Sequence, residues 1–429
     1  MALAPCVIVR IVHVTPGYWP RLGGEQVYAR RLSEGLAARG HQVTVLTLRD
    51  QEAADWLPPL FSGLSTPPRV IRFTENGAFP RLLKMAGARR LLGAVLPQDR
   101  MRMIAGGPLS ARLFAELLRS KADIVAVLGW WASLLPFKVS MAKRLRKWRM
   151  VGIPMFHTEE AWSRDDVYAP LLNRCDAIIA NTGYEKQFVE ERVSVRTRVL
   201  VGGAGIDPHA FAERDGGRIR SRYGLRRRPV VGYVGRLLPS KGVTALIKAM
   251  RVVWQWNSEV RLVLAGPRAS VGMPADREVE QALARLTEAE RTRVLLLGEF
   301  DEEDKASIFD SLDVFAMPSI GESFGIAYLE AWMCGKPVIG ANVGSTPYVI
   351  RNGVDGLLVN PQDPRHIGEA LVRLLKDPAE RARLGGAGYT RTTSEFTWDR
   401  VIDRIEGLYK ELGSPELLPV SVNAGRTSV

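Results

Sequence analysis

Two carboxylates, Glu322 and Glu330, bracket the segment Ser323-Phe324-Gly325-Ile326-Ala327-Tyr328-Leu329. The apolar run at 313–318 reads as a buried strand and the apolar density of 326–333 as a buried helix, so 319–325 is a strand-to-helix junction. Free amides at such a helix start face an anion. Eight helical residues rise about 12 Å, so one carboxylate before the helix and another two turns in could touch hydroxyls on either side of a diphosphate. That spacing suits a nucleotide-sugar. A second cluster follows the apolar run at 229–234, where Gly235-Arg236-Leu237-Leu238-Pro239-Ser240-Lys241-Gly242 puts two cations in one loop. Arginine can fork onto phosphate oxygens and lysine supplies a point charge; taken alone, a solvated loop explains the segment equally well. A third follows the first apolar run, where Gly23-Gly24 precedes a helix expected over 26–39 and lets backbone approach an anion. By itself a glycine pair is more often just a tight turn.

The elements that must hold these residues are legible as periodicity. Apolar runs at 7–14, 42–48, 69–73, 123–128, 150–156, 177–181 and 198–201, then at 229–234, 261–265, 294–297, 313–316, 337–339 and 356–359, alternate with helical stretches. Continuous rather than alternating apolarity indicates parallel sheets covered on both faces. The fold class is therefore α/β, with two doubly wound, Rossmann-like domains. In such sheets ligands bind beyond the carboxyl ends of the strands, where all three clusters fall. The glycine-rich stretch 201–208 marks the change of domain. The divisions expected are 1–205, 206–395, a helix over 396–412, and a disordered tail over 413–429. Helices within 51–120 are expected without clear boundaries.

Bulk composition narrows the classes. A chain of 429 residues exceeds one core. With 46% hydrophobic and 24% charged residues it reads as a soluble globular protein, and no uncharged apolar stretch reaches the ~18 residues a membrane span needs. Arg10 interrupts the apolar start and no cleavage site follows, so a first strand is expected there rather than a signal peptide. Cys6, Cys175 and Cys334 are odd in number and far apart, which argues against disulfides and metal clusters and fits a reducing cytoplasm. The net charge of +13 is local: residues 71–150 hold 16 Lys or Arg against 4 Asp or Glu. Cations interleaved with Leu, Met and Trp, as in Lys143-Arg144-Leu145-Arg146-Lys147-Trp148-Arg149, suit an anionic membrane surface. A solvated helix face is the plainer alternative. No recognition motif for nucleic acid accompanies the charge. No Asp-x-Asp pair is present, so Arg236, Lys241 and the helix start at Ser323–Gly325 are expected to do the electrostatic work of a metal.

Gly-Arg-x4-Lys-Gly at 235–242 and Glu-x7-Glu at 322–330, with 337–352 and 355–359 in this order, resemble the retaining glycosyltransferases of family 4, which have the GT-B fold. The resemblance covers most of residues 7–410. It implies two domains facing across a cleft, with a last helix beginning at Phe396-Thr397-Trp398 that crosses back to the N-terminal domain. It also implies that Arg236 and Lys241 hold the nucleotide diphosphate, Glu330 the ribose and Glu322 the donor-sugar hydroxyls, with backbone contacts from Phe324 and Gly325. Gly24 resembles the loop that closes over the distal phosphate. Phe156-His157-Thr158 matches a segment whose histidine lies beside donor sugar and acceptor, and Gly298-Glu299-Phe300 falls where backbone meets the nucleobase. One departure stands at the domain junction, where the family often has Pro-Asn-Gly-Val-Asp and this chain has Gly203-Ala204-Gly205-Ile206-Asp207.

The expected activity is retaining, metal-independent transfer of a hexosyl group from a UDP- or GDP-linked sugar to a carbohydrate or lipid-linked acceptor, with no cofactor. The expected location is the cytoplasm, peripheral on the inner membrane face through residues 71–150. Two rivals remain: a non-catalytic nucleotide-sugar-binding partner in an assembly complex, and a GT-B sugar-nucleotide epimerase.

Overall fold

A computed structural model describes residues 7–19, 23–48, 66–73, 110–129, 134–159, 168–268 and 274–413. Of the stretch 51–120, where helices are expected, 51–65 and 74–109 lie outside them, as do Cys6 and the tail beyond 413.

Among the described residues thirteen strands form two all-parallel sheets. The first has β1 (Arg10–Thr15), β2 (Gln42–Leu48), β3 (Arg69–Phe73), β4 (Ile124–Leu128), β5 (Arg149–Ile153), β6 (Ala177–Ala180) and β7 (Arg198–Val201), in the order β3-β2-β1-β4-β5-β6-β7. The second has β8 (Val230–Val234), β9 (Arg261–Ala265), β10 (Val294–Gly298), β11 (Val314–Met317), β12 (Val338–Ala341) and β13 (Gly356–Val359), in the order β10-β9-β8-β11-β12-β13. Each apolar run seen in the sequence became a strand, because a strand covered on both faces needs apolar residues at every position. β4, β8 and β11 are buried at every position.

In both sheets the strand order reverses once. The reversal lies between β1 and β4 in the first and between β8 and β11 in the second. At such a point the two connections leave toward opposite faces and open a crevice at the strands' carboxyl ends.

The helices that matter for the site are α1 (Gly24–Ala38), α2 (Leu135–Lys143), α3 (Gly183–Glu190), α4 (Val243–Trp256), α5 (Glu302–Asp310), α6 (Ile326–Met333) and α7 (Trp398–Gly413). α7 follows the second sheet in sequence yet packs on the first domain. Glu406 accepts from Arg39 at 2.9 Å and pairs with His41 at 3.0 Å, and Tyr28 meets Trp398 edge-on at 5.3 Å. Gly205 is where the returning chain passes: a Cβ there would lie 2.8 Å from the Trp398 backbone. Glycine at the junction thus answers to close packing as well as to hinge freedom.

The basic cluster at 143–149 sits at the amino ends of the first sheet's strands, opposite the crevice. There Asp123 pairs with Arg10, and Asp176 with Lys143 and Arg149. Arg144, Arg146 and Lys147 are exposed and have no ion-pair partner among the described residues. No helix among those residues is long and apolar enough to cross a membrane.

Candidate active site

The two motifs singled out in the second half meet at its switch point. β8 runs into Gly235 and the exposed Arg236, whose carbonyl accepts from the Tyr233 hydroxyl at 2.6 Å. A short 3-10 turn, Pro239–Lys241, then leads through Gly242 into α4. Gly242 has φ +81° and a Cβ would lie 2.3 Å from the Pro318 carbonyl, so only glycine lets this loop press against the one after β11. Ile320 N donates to Ser240 O at 2.9 Å, which locks the loops together.

Lys241 crosses between them. Its Nζ donates to Gly321 O and to Glu322 Oε1, both at 2.7 Å, and the two side chains keep only 14% and 11% of their surface exposed. Tyr233 and Tyr328 wall this pair; burial, then the Glu322 charge, pushes both phenols above their ordinary range. The Tyr328 hydroxyl donates to Met317 O at 2.6 Å, tying α6 back to β11.

α6 begins at Ile326 after Gly325, which sits in the left-handed region at φ +91° and offers no capping side chain. The amides of Ser323, Phe324 and Gly325 donate to no protein acceptor among the described residues. The Phe324 ring is buried edge-on to Phe396 at 5.5 Å, which leaves the backbone of this turn as its polar surface. Unfilled donors at the start of an uncapped helix make an anion site.

Glu330 lies just over one turn into α6, not the two expected, because the helix starts only at Ile326; it meets Lys305 of α5 at 3.0 Å, and Lys305 also pairs with Glu302. Burial alone would lower the Lys305 ammonium, but Glu330 and then Glu302 outweigh it and hold its pKa above the ordinary lysine range. The sequence reading missed Lys305. Nothing in the spacing shows that it faces Glu330.

Gly298 closes β10 at φ +68°, where a Cβ would meet open space, and its carbonyl accepts from Gly266 N at 2.8 Å. Glu299 is exposed and Phe300 half-buried. One strand, β9, separates this edge from the start of the Arg236 loop, a distance of about 10 Å at the usual spacing.

The first domain brings Gly24 and His157 to its own crevice. α1 starts at Gly24, two residues earlier than expected, behind an extended Gly23; a Cβ on Gly24 would meet nothing within 4 Å. Beside it, at the end of β4, a Cβ on Gly129 would fall 2.0 Å from the Glu25 carboxylate. His157 follows β5 and is half-buried. Asn181, beyond β6, spans the domains: its Nδ2 approaches Ser323 Oγ at 3.3 Å. Nearby, Thr182 Oγ1 donates to Ser345 Oγ at 3.1 Å and the Tyr348 hydroxyl to Gln187 Oε1 at 3.0 Å. The crevice loops of both sheets therefore line one cleft.

Residues 22–210 match the family described as Glycosyltransferase Family 4, and residues 218–391 match Glycosyl transferases group 1. Over 421 aligned residues the chain is 28% identical to the D-inositol 3-phosphate glycosyltransferase of Mycolicibacterium paratuberculosis, covering 94% of this chain and 90% of that protein. The enzyme of the same name from Salinispora tropica is also 28% identical, with 93% and 84% covered. Among solved structures, Anabaena HepE in complex with UDP and glucose superposes with a TM-score of 0.71 at 20% identity, covering 93% of this chain and 99% of that one. Sucrose-phosphate synthase from Thermosynechococcus elongatus gives 0.71 at 23%, covering 94% and 99%. With both halves matched in order and two parallel-sheet domains closing one cleft, the chain belongs to glycosyltransferase family 4 and has the GT-B fold.

Proposed function

We propose that the protein moves a sugar from a nucleotide-diphosphate sugar to an acceptor hydroxyl with retention of anomeric configuration and without a metal. The observation that carries this reading is the Lys241–Glu322 pair beside the uncapped start of α6, at the switch point of the second sheet. In this reading Arg236, Lys241 and the amides of Ser323–Gly325 take the diphosphate, Glu322 the sugar hydroxyls and Glu330 the ribose. The backbone at Gly298–Phe300 meets the base, which is uracil or guanine; the UDP in the HepE structure puts uracil first in any screen. Gly24 lets the backbone of α1 approach the distal phosphate, and His157 stands beside the sugar.

The acceptor oxygen attacks C1 on the face the diphosphate leaves. The C1–O bond to phosphate breaks, the new C1–O bond forms, and the acceptor proton goes to a diphosphate oxygen. Protein assistance is chiefly electrostatic, through cations and amides aimed at the charge that develops on the leaving group. A thermal-shift panel of UDP- and GDP-sugars, followed by product analysis, tests the reading. Arg236→Ala or Lys241→Ala with wild-type transfer would overturn it. Binding without turnover would favour the non-catalytic partner, and free nucleotide released without acceptor consumption the epimerase.

The acceptor is proposed to be a lipid-linked or envelope glycan at the cytoplasmic membrane face. Phe137 and Met141 of α2 and Leu145 in the turn after it are 42%, 43% and 69% exposed, spaced four residues apart on one side. Arg144, Arg146 and Lys147 flank the end of this stripe, as an interfacial helix on anionic lipid requires. Flotation with phosphatidylglycerol vesicles should be lost in Phe137→Ser/Leu145→Ser and in high salt; no binding even at low salt would sink this part. The names of the curated relatives favour a second reading, a phosphorylated cyclitol acceptor, which belongs in the same product screen.

A further inference from the structure

We infer that Glu185 is a positioning residue: its buried carboxylate clamps the ends of two neighbouring strands and so fixes the peptide that carries His157 and the side chain that bridges the domains. Glu185 lies in the first turn of α3 and has no exposed surface. Oε1 accepts from Phe156 N at 2.7 Å and Oε2 from Asn181 N at 2.6 Å. Phe156 immediately precedes His157; Asn181 reaches Ser323 in the second domain. One carboxylate thus sets the spacing between two loops of the cleft.

The clamp acts where the backbone needs it. Met155 sits at φ +54°, a left-handed conformation that a non-glycine residue adopts only when its surroundings hold it there. The next amide is the one Glu185 captures. A neutral side chain of the same shape cannot replace it, because two N–H donors require two acceptor oxygens and glutamine has one. Leucine or methionine would serve better if the role were only to fill the core.

Charge is sparse around the group. Tyr28 of α1 feels the charge of Glu185 and, with opposite sign, that of Arg404 of α7, and no cation pairs with the carboxylate among the described residues. Burial pushes the Glu185 carboxyl up to about 7, against the pull of the Asn181 and Phe156 amides. Below that pH a proton on one oxygen competes with an amide for it, and the clamp weakens. Because the folded pKa is raised, the stability contribution runs the other way: it is present at low pH and lost as pH rises through about 7. Acid therefore loosens the cleft while relieving the cost of a buried charge.

This inference rests on the glycosyl-transfer reading for its kinetic consequence but not for its structural one. The test uses the full chain with Glu185→Gln. Amide hydrogen exchange at Phe156 or Asn181 should accelerate about tenfold or more while the other strands of the sheet stay protected. The melting temperature at pH 8 should not fall. Donor binding should stay within about twofold of wild type, kcat should drop about tenfold, and the acid limb of kcat near pH 7 should disappear. Unchanged exchange at both amides overturns the clamp. So does a parallel loss of donor affinity, kcat and melting temperature, which would mean a general structural role. If the wild-type chain turns over no nucleotide-sugar, the proposed function fails, and the exchange measurement still decides the clamp.

Discussion

The two halves of the molecule each contain titratable groups that are held in contrasting ways. In the second, each carboxylate of the site stands against an ammonium, Glu322 with Lys241 and Glu330 with Lys305, and both pairs keep some exposure. In the first, Glu185 and His13 are wholly buried without a counter-ion: Glu185 takes two backbone amides, and His13 Nδ1 meets Ser33 Oγ at 2.7 Å. The difference is one of task. A part-exposed ion pair can exchange its partner for a ligand's phosphate or hydroxyl without a new desolvation cost, so the second half is arranged to trade contacts. A buried group with only neutral partners is costly and cannot trade, so the first half uses it to hold backbone in place.

The sharpest break of this comparison is Lys241→Ala. If the pair exists to meet a diphosphate, turnover should fall by about 100- to 1,000-fold, the range for removing one aimed electrostatic contact. Stability should fall by about 1–3 kcal/mol, because the pair is mostly buried and Glu322 is left without its cation. A larger loss of stability with modest loss of turnover would make the pair structural. Lys305→Met comes next: it leaves Glu330 without its cation, and donor affinity by titration calorimetry should weaken about tenfold. Unaltered affinity would remove Glu330 from the ribose assignment. Gly24→Ala is smaller still. Open space surrounds a Cβ at 24, so the melting temperature should hold, while the donor KM should rise about fivefold if backbone approaches the distal phosphate there.

How much of this the sequence carried depends on distance along the chain. Thirteen apolar runs became thirteen strands because burial on both faces writes itself into consecutive residues. The Arg236–Lys241 and Glu322–Glu330 segments were readable because each is local and each follows a strand. Parallel topology implied that both lie at one edge of the sheet; that their strands are neighbours at the switch point is seen only in the structure. What could not be read is what depends on reach: Lys305 finding Glu330 from another helix, and Glu185 taking the Phe156 amide 29 residues back. Glutamate in a first helical turn reads as helix-dipole complementarity, and its second task leaves no periodic trace. The basic stretch 71–150 was read as a unit, but its described C-terminal part lies at the strands' amino ends, away from the cleft. Charge counting has no direction in it.

The smallest expected effect is a cancellation, and it tests the buried half of the comparison. Burial lowers His13 to about 3, so the folded state resists a proton that the unfolded chain accepts near 6.5. Its folded pKa is depressed, so stability is lost as pH falls below 6.5, by about 2 kcal/mol between pH 7 and 5. Glu185, raised to about 7, gains about the same over that interval, because the folded state accepts the proton first. Together they should nearly offset each other in the wild-type chain. Glu185→Gln removes one side of the balance, so urea unfolding of the variant should lose about 2 kcal/mol relative to wild type on going from pH 7 to 5. Taking the difference between the two chains cancels every titrating group they share, including the ion pairs of the second domain. Parallel pH curves would mean that Glu185 is not the buried, uncompensated acid that distinguishes the first half from the second.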